Sequence, residues 1–160
     1  PGVQVHPVET AAQMQAAIDE LAATADVVVM AAAVADFRPV AAAEGKWKKD
    51  QGPPQIVLEP TPDILAGLGE RKPAGQVLVG FAAETSDLVA NAAAKLARKR
   101  LDLVVANDVA APGVGFQHDT NAVTLLRAGG AVSAVALTDK RSIARAVLDA
   151  VLDIQAGHTS

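Results

Sequence analysis

The chain has no cysteine, so it can hold neither a disulfide nor a thiolate metal or redox site. Aromatic residues are nearly missing, at three Phe, one Trp and no Tyr. Stacking platforms for single-stranded nucleic acid are therefore scarce, and the interior must be filled by Val, Leu, Ile and Ala. Basic charge is not in excess either: the formal net charge is -4 and the isoelectric point is near 5.3, which makes nucleic acid a poor partner. No apolar run is long enough to span a bilayer and no signal-peptide pattern stands at the start, so the expectation is no membrane partner and a cytoplasmic location. His6, His118 and His158 are scattered and no carboxylate set has metal-ligand spacing, so no protein metal cage is expected.

What is present is apolar material, 51% of the residues, enough to bury one good-sized core in a single domain over residues 1–160. Residues 3–8 read as a short strand, and Thr10 can cap a helix whose apolar Met14, Ile18, Leu21 and Ala22 recur at helical spacing. Residues 27–33 are apolar without alternation, as in a central strand covered on both faces. Residues 76–83 and 101–107 repeat that run around a helical stretch at 87–99. Such alternation predicts an α/β fold of three layers, a Rossmann-like, mostly parallel sheet with helices on both faces.

Two stretches depart from the alternation. Residues 37–60 are rich in Ala, Lys, Gly and Pro, with a possible strand at 55–58, and are too long for an ordinary connection. Residues 122–126 and 131–137 flank Gly129-Gly130 as a β-hairpin, a small addition to the regular alternation, followed by a closing helix from about Ser142. The chain opens on Pro1-Gly2 directly before a strand and a helix, without the Gly-rich strand-to-helix loop that nucleotide-binding sheets place at their first βα turn.

Ligands of open α/β sheets bind outside the carboxyl ends of the strands, so the residues after the apolar runs are the site candidates. The first run leads into Ala31-Ala32-Ala33-Val34-Ala35-Asp36, small side chains that let a flat ligand approach the backbone and a carboxylate suited to ribose hydroxyls or a hydrated metal, or equally a tight capped loop. Lys46, Lys48 and Lys49 crowd three ammonium groups together, which an anion would relieve, although a solvated charge run is commoner. Thr61, Pro62, Asp63 and Ile64 read as a helix start with Thr as cap and Pro in the first position; its N–H groups could also receive a ligand oxygen. Phe81 stands at the mouth of the sheet, either against a base or closing the core. Asn91, Lys95 and Lys99 share one helical face, an ordinary solvated arrangement by itself. Asn107-Asp108 ends the fourth strand, before a loop suited to a turn or to polar contacts.

The order and spacing of these motifs, A-A-V-A-D-F-R at 32–38, K-W-K-K at 46–49, T-P-D-I at 61–64, V-G-F-A-A-E-T at 79–85, the pair Lys95 and Lys99, A-N-D-V at 106–109 and G-F with D and N at 115–121, resemble phosphopantothenoylcysteine synthetase, a ligase of coenzyme A biosynthesis. The resemblance implies activation of 4'-phosphopantothenate by CTP, with Mg²⁺, to an acyl-cytidylate, which cysteine then converts to an amide. It implies a homodimer, with the long loop as a plausible arm to a neighbour, and FMN only on a fused decarboxylase domain outside this chain. Residue by residue, it implies nucleotide contacts at Met30, Ala31, Ala32, Asp36, Lys46, Thr61, Pro62, Asp63, Ile64, Phe81, Lys95 and Lys99, with Lys46 catalytic. The family's first strand and Gly-rich loop have no counterpart in these 160 residues, so the expectation for this chain is nucleotide binding without turnover. Two other classes stay open. A Rossmann-type oxidoreductase lacks its G-x-G-x-x-G, and a non-catalytic nucleotide-binding or dimerisation module would need none.

Overall fold

The computed structural model describes residues 2–41, 45, 48, 52–84, 86–108 and 120–158. Along the chain run α1 (Ala11–Ala22), β1 (Val27–Met30), β2 (Phe37–Pro39), β3 (Leu58–Pro60), α2 (Ile64–Arg71), β4 (Val77–Glu84), α3 (Leu88–Arg98), β5 (Leu103–Asp108), β6 (Thr120–Arg127), β7 (Val132–Asp139) and α4 (Lys140–His158). The main sheet has the order β1-β4-β5-β6-β7, while β2 and β3 pair by themselves. β1, β4 and β5 pair in parallel; β6 and β7 are antiparallel additions to the same sheet, so the fold is α/β and Rossmann-like with a mixed sheet.

The apolar runs explain the layers. Val77, Val79, Leu103 and Val105 pack with α4 through Ile143, Val147, Ala150 and Val151. Their neighbours in sequence, Leu78, Ala82, Val104 and Ala106, face Ile64, Leu65 and Leu68 of α2, Ala92 of α3 and Ala22 of α1. Because β4 and β5 are covered on both sides, every other residue cannot be polar, and the runs read as unbroken. Two buried polar groups brace the non-cleft ends of the strands. Gln76 donates from Nε2 to the carbonyls of Ala22 and Ala25, both at 2.7 Å. Asp102 accepts from Leu78 N–H and from Lys72 Nζ at 2.7 Å, so neither buried side chain is left unsatisfied.

Local signals fix the helix ends. Thr10 and Gln13 form a reciprocal capping box at α1. α3 closes with Arg100 at φ 51, its N–H on Ala97 O and that of Leu101 on Leu96 O, the Schellman pattern with arginine in the left-handed slot. Asp139 caps α4, accepting from the N–H groups of Arg141 and Ser142 and from Ser142 Oγ. The last turn of α3 lies so close to α2 that a Cβ at Gly69 would overlap the Lys99 carbonyl.

Several expectations need correction. Residues 3–8 form no strand: Val3 and Val5 are exposed at 83% and 81%, with no ladder partner among the described residues to stabilise an extended segment. β1 is an edge strand of the described sheet rather than a central one, and Val29 is accordingly 43% exposed. The strand expected at 55–58 lies instead at Leu58–Pro60, where the register with β2 pairs Phe37 with Pro60 and Pro39 with Leu58. α2 begins at Ile64 with Asp63, not Thr61, as its cap, because the Asp63 carboxylate takes the Ala66 N–H at 3.0 Å.

Candidate functional site

At the carboxyl ends of β1 and β4 lies a cleft of about 540 Å³. Met30 to Asp36 form one side, Thr61 to Leu65 a second, Phe81 and Ala83 the floor, and Lys95 and Lys99 the α3 wall. Every expected nucleotide contact except Lys46 lines it. Lys46, with Trp47 and Lys49, lies outside the described residues, as do Phe116 and Asp119 of the downstream motif.

The cleft is assembled by parallel pairing. Pairing of Met30 with Gly80 brings the alanine loop after β1 beside Phe81. Thr61 N–H donates to Asp36 O at 2.8 Å, which ties that loop to the segment before α2. Ala31, Ala32 and Ala33 are exposed there, so these three positions of the wall present nothing larger than a methyl. Thr61 Oγ1 is buried and has no hydrogen-bond partner among the described residues. Phe81 packs partly against the α4-side core and also lines the cleft.

The two lysines of α3 are not solvated surface groups. Lys99 Nζ pairs with Asp63 at 2.8 Å, and its side chain is only 13% exposed. Lys95 Nζ donates to Phe81 O at 2.7 Å. Burial and then the neighbouring charge of Lys99 hold Lys95 below the usual lysine range, against the opposing pull of Glu84 and Asp63. Burial pushes the Asp63 carboxyl up, but its hydrogen bonds from Lys99 and Ala66 N–H and the charges of Lys99 and Arg98 outweigh this and leave it below its ordinary value. Asp63 therefore stays ionised and neutralises Lys99 until another anion competes.

A pH prediction follows from Lys95. An anion in the cleft favours the charged amine, so its affinity should fall as pH rises through a value below the ordinary lysine range, with proton uptake on binding there. The same shift means that the unfolded chain holds more protons in that window, so folding stability should rise with pH across it. Calorimetry with inorganic triphosphate as the anion, in buffers of different ionisation enthalpy, checks the uptake; Lys95→Arg, charged throughout, should abolish it. A pH-independent affinity through the alkaline range would contradict the assignment.

Three polar lining residues were not among the expected contacts: Asn107, Asn121 and Lys140. Asn107 and Asn121 belong to noted motifs, and Lys140 had no motif of its own. The signal that could have found it is topological. β7 runs parallel to β5 through the antiparallel β6, so its carboxyl end returns to the same edge and Lys140 follows it directly.

The chain is thus a Rossmann-like α/β domain with a lysine-walled cleft at its strand ends, where ligands of open α/β sheets are generally bound. The chain belongs to the DNA/pantothenate metabolism flavoprotein C-terminal domain family, whose model matches residues 1–154. It is 44% identical over 156 residues to the coenzyme A biosynthesis bifunctional protein CoaBC of Bacillus subtilis, covering 96% of this chain and 38% of that protein. It is 43% identical over 169 residues to CoaBC of Mycobacterium tuberculosis, covering 99% of this chain and 40% of that protein. A further relative, 40% identical over 152 residues, is named a cysteine/cysteine sulfinic acid decarboxylase, from an unknown prokaryotic organism; the match covers 95% of this chain and 42% of that protein. The chain thus spans about two fifths of the curated relatives it matches. Among solved structures, the C-terminal domain of CoaBC aligns at a TM-score of 0.72 and 36% identity, over 93% of this chain and 63% of that one. A Cab2 mutant in complex with phosphopantothenate-cysteine shares the fold at a TM-score of 0.67 and 20% identity, over 96% of this chain and 54% of that one.

Proposed function

We propose that this domain binds CTP in the cleft and serves the ligation of 4'-phosphopantothenate to cysteine in coenzyme A biosynthesis. The observation that carries the reading is the convergence on one cleft of Met30 to Asp36, Thr61 to Ile64, Phe81, Lys95 and Lys99. In this reading the alanine loop and Phe81 accommodate the base and ribose. Lys95 and Lys99 meet the phosphates, Lys99 exchanging its Asp63 carboxylate for a phosphate oxygen. Charge builds on the α-phosphate and on the departing pyrophosphate as the acid's carboxylate oxygen attacks phosphorus. Lys46, the first lysine of the K-W-K-K element, is the residue proposed to approach that centre. The cysteine amine then attacks the acyl carbon and CMP leaves with the electron pair of the broken acyl–phosphate bond.

Mg²⁺ would travel with the triphosphate and shield its charge. The donor set fits that role and not a resident cage: among the described residues no group of three His, Cys, Asp or Glu converges, and Asp36 is the exposed cleft carboxylate without an ion pair. We further propose a homodimer in which residues 37–60 form an arm to the neighbour. Exposed Phe37, Ile56, Val57 and Leu58 support this.

A nucleotide panel tests the reading. By mass action a ligand that binds only the folded chain raises its melting temperature, and CTP should do so more than ATP, with NAD without effect. Lys95→Ala and Lys99→Ala should each weaken CTP binding by about 1–3 kcal/mol. Equal stabilisation by NAD would return the oxidoreductase reading, and an unaltered CTP affinity in both variants would return the lysines to a structural role.

A further inference from the structure

The Lys99 carbonyl abuts α2 at Gly69, where a Cβ would overlap it. From there the side chain runs back along the helix and ends with Nζ 2.8 Å from Asp63, the residue that caps its first turn. Gly69 stands about 9 Å along the axis from Asp63 at the α-helical rise, so Lys99 is laid out beside most of a helix of eight residues. A shift of α2 along that axis would carry the Asp63 carboxylate away from the ammonium.

Apolar packing holds α2 to the sheet without fixing that axial position. Ile64, Leu65 and Leu68 are buried in the core, but such contact is non-directional and follows the area removed from water. A directional tie runs instead from the far end of α2 to the sheet. Lys72, directly after the last turn, donates from Nζ to both carboxylate oxygens of Asp102 at 2.7 Å. The two side chains are only 21% and 11% exposed, so the pair is screened far less than one at the surface. Asp102 is itself held by the sheet: its carboxylate accepts the Leu78 N–H at 2.7 Å, its own N–H donates to Leu78 O at 3.0 Å, and its carbonyl accepts the Ala128 N–H at 2.9 Å. Arg71 with Asp19, the neighbouring ion pair, joins two exposed side chains and reaches only α1.

We propose that Lys72 and Asp102 are positioning residues, whose pair fixes α2 along its axis and so sets where the Asp63 carboxylate meets the Lys99 ammonium at the opposite end of the helix. The cleft thereby depends on two side chains that do not line it. That this bears on a nucleotide rests on the ligase reading above; that it bears on the Asp63–Lys99 pair does not.

Lys72→Met combined with Asp102→Asn removes the pair, leaves no lone buried charge and keeps an oxygen for the Leu78 N–H. Burial pushes the Asp63 carboxyl up, while Lys99, the Ala66 N–H and Arg98 together hold it below the ordinary aspartate value. An NMR titration should find it there in the parent chain and nearer the ordinary value in the double variant. CTP affinity, by calorimetry, should fall about threefold or more. Lys72→Arg, which keeps the pair, should stay close to the parent in both measurements. In a Lys99→Ala background, removing the pair should change CTP affinity by less than about twofold, because Lys72 acts through Lys99. An unaltered Asp63 titration in the folded double variant would overturn the proposal. So would an equal loss of CTP affinity with and without Lys99, which would make the pair a brace of the fold alone. Should the double variant not fold, Lys72→Gln, which retains a donor but neither the charge nor the reach, is read in the same way. A parent that binds no CTP would sink the ligase reading, and the Asp63 titration would still decide the role of the pair.

Discussion

Replacing Lys46 by Ala in an active ligase containing this domain is expected to slow acyl-cytidylate formation by about 10²–10³-fold, the range for removing one donor from developing transition-state charge. Lys46 lies in the K-W-K-K element of a stretch rich in Gly, Lys and Pro, which offers little apolar surface to a core. Its loss should accordingly leave the melting temperature within the small range of surface substitutions. CTP affinity should change far less than the rate, since Lys95 and Lys99 would still meet the phosphates and Lys46 is proposed to act where charge develops. The check is a single-turnover measurement of pyrophosphate release at saturating CTP. Release at the parent rate would remove Lys46 from the chemistry, and a parallel loss of stability would make it a structural residue.

The second large effect falls on stability. A methyl group on Gly69 meets the Lys99 backbone carbonyl, which cannot swing aside as a side chain would. Gly69→Ala should cost at least the ~1–3 kcal/mol of ordinary overpacking, a fall of up to about 10 °C in melting temperature for a domain of this size. Gly67→Ala, two residues earlier in the same helix, is the control. There the added carbon meets Arg71 Nη1 at 3.1 Å, the far end of a flexible chain. Exchange of glycine for alanine in a helix favours folding by up to ~1 kcal/mol, so Gly67→Ala should be neutral or slightly stabilising. The two variants also differ in function: pushing α3 away from α2 moves Lys99 off Asp63, so Gly69→Ala should weaken CTP binding and Gly67→Ala should not. Equal melting temperatures for both would mean that the α2–α3 contact is looser than described.

The parallel part of the fold was legible because burial on both faces leaves an unbroken apolar signature, as in Val77 to Val79 and Leu103 to Val105. The cleft was legible for a related reason: strand ends are positions in a sequence, and the residues that follow the runs necessarily share one edge of the sheet. What failed depended on partners distant in the chain. The valines at 3, 5 and 8 carry strand propensity, yet propensity without a neighbouring ladder yields no strand. The shift of β3 to Leu58–Pro60 reflects its pairing with β2, which the local sequence does not encode. At α2, Thr61 and Asp63 are both competent caps, and the choice went to the residue whose carboxylate also meets Lys99. Lys140 carries no local signal, because only the pairing of the hairpin with β5 extends the sheet and returns the chain to the cleft.

The most direct measurement is a crystal structure of this chain grown with CTP. The account predicts cytosine and ribose between the alanine loop at 31–33 and Phe81, and phosphate oxygens about 2.7–2.9 Å from the ammonium groups of Lys95 and Lys99. Asp63 should then have released Lys99. Nucleotide bound with Lys99 still paired to Asp63, or bound outside this cleft, would contradict it.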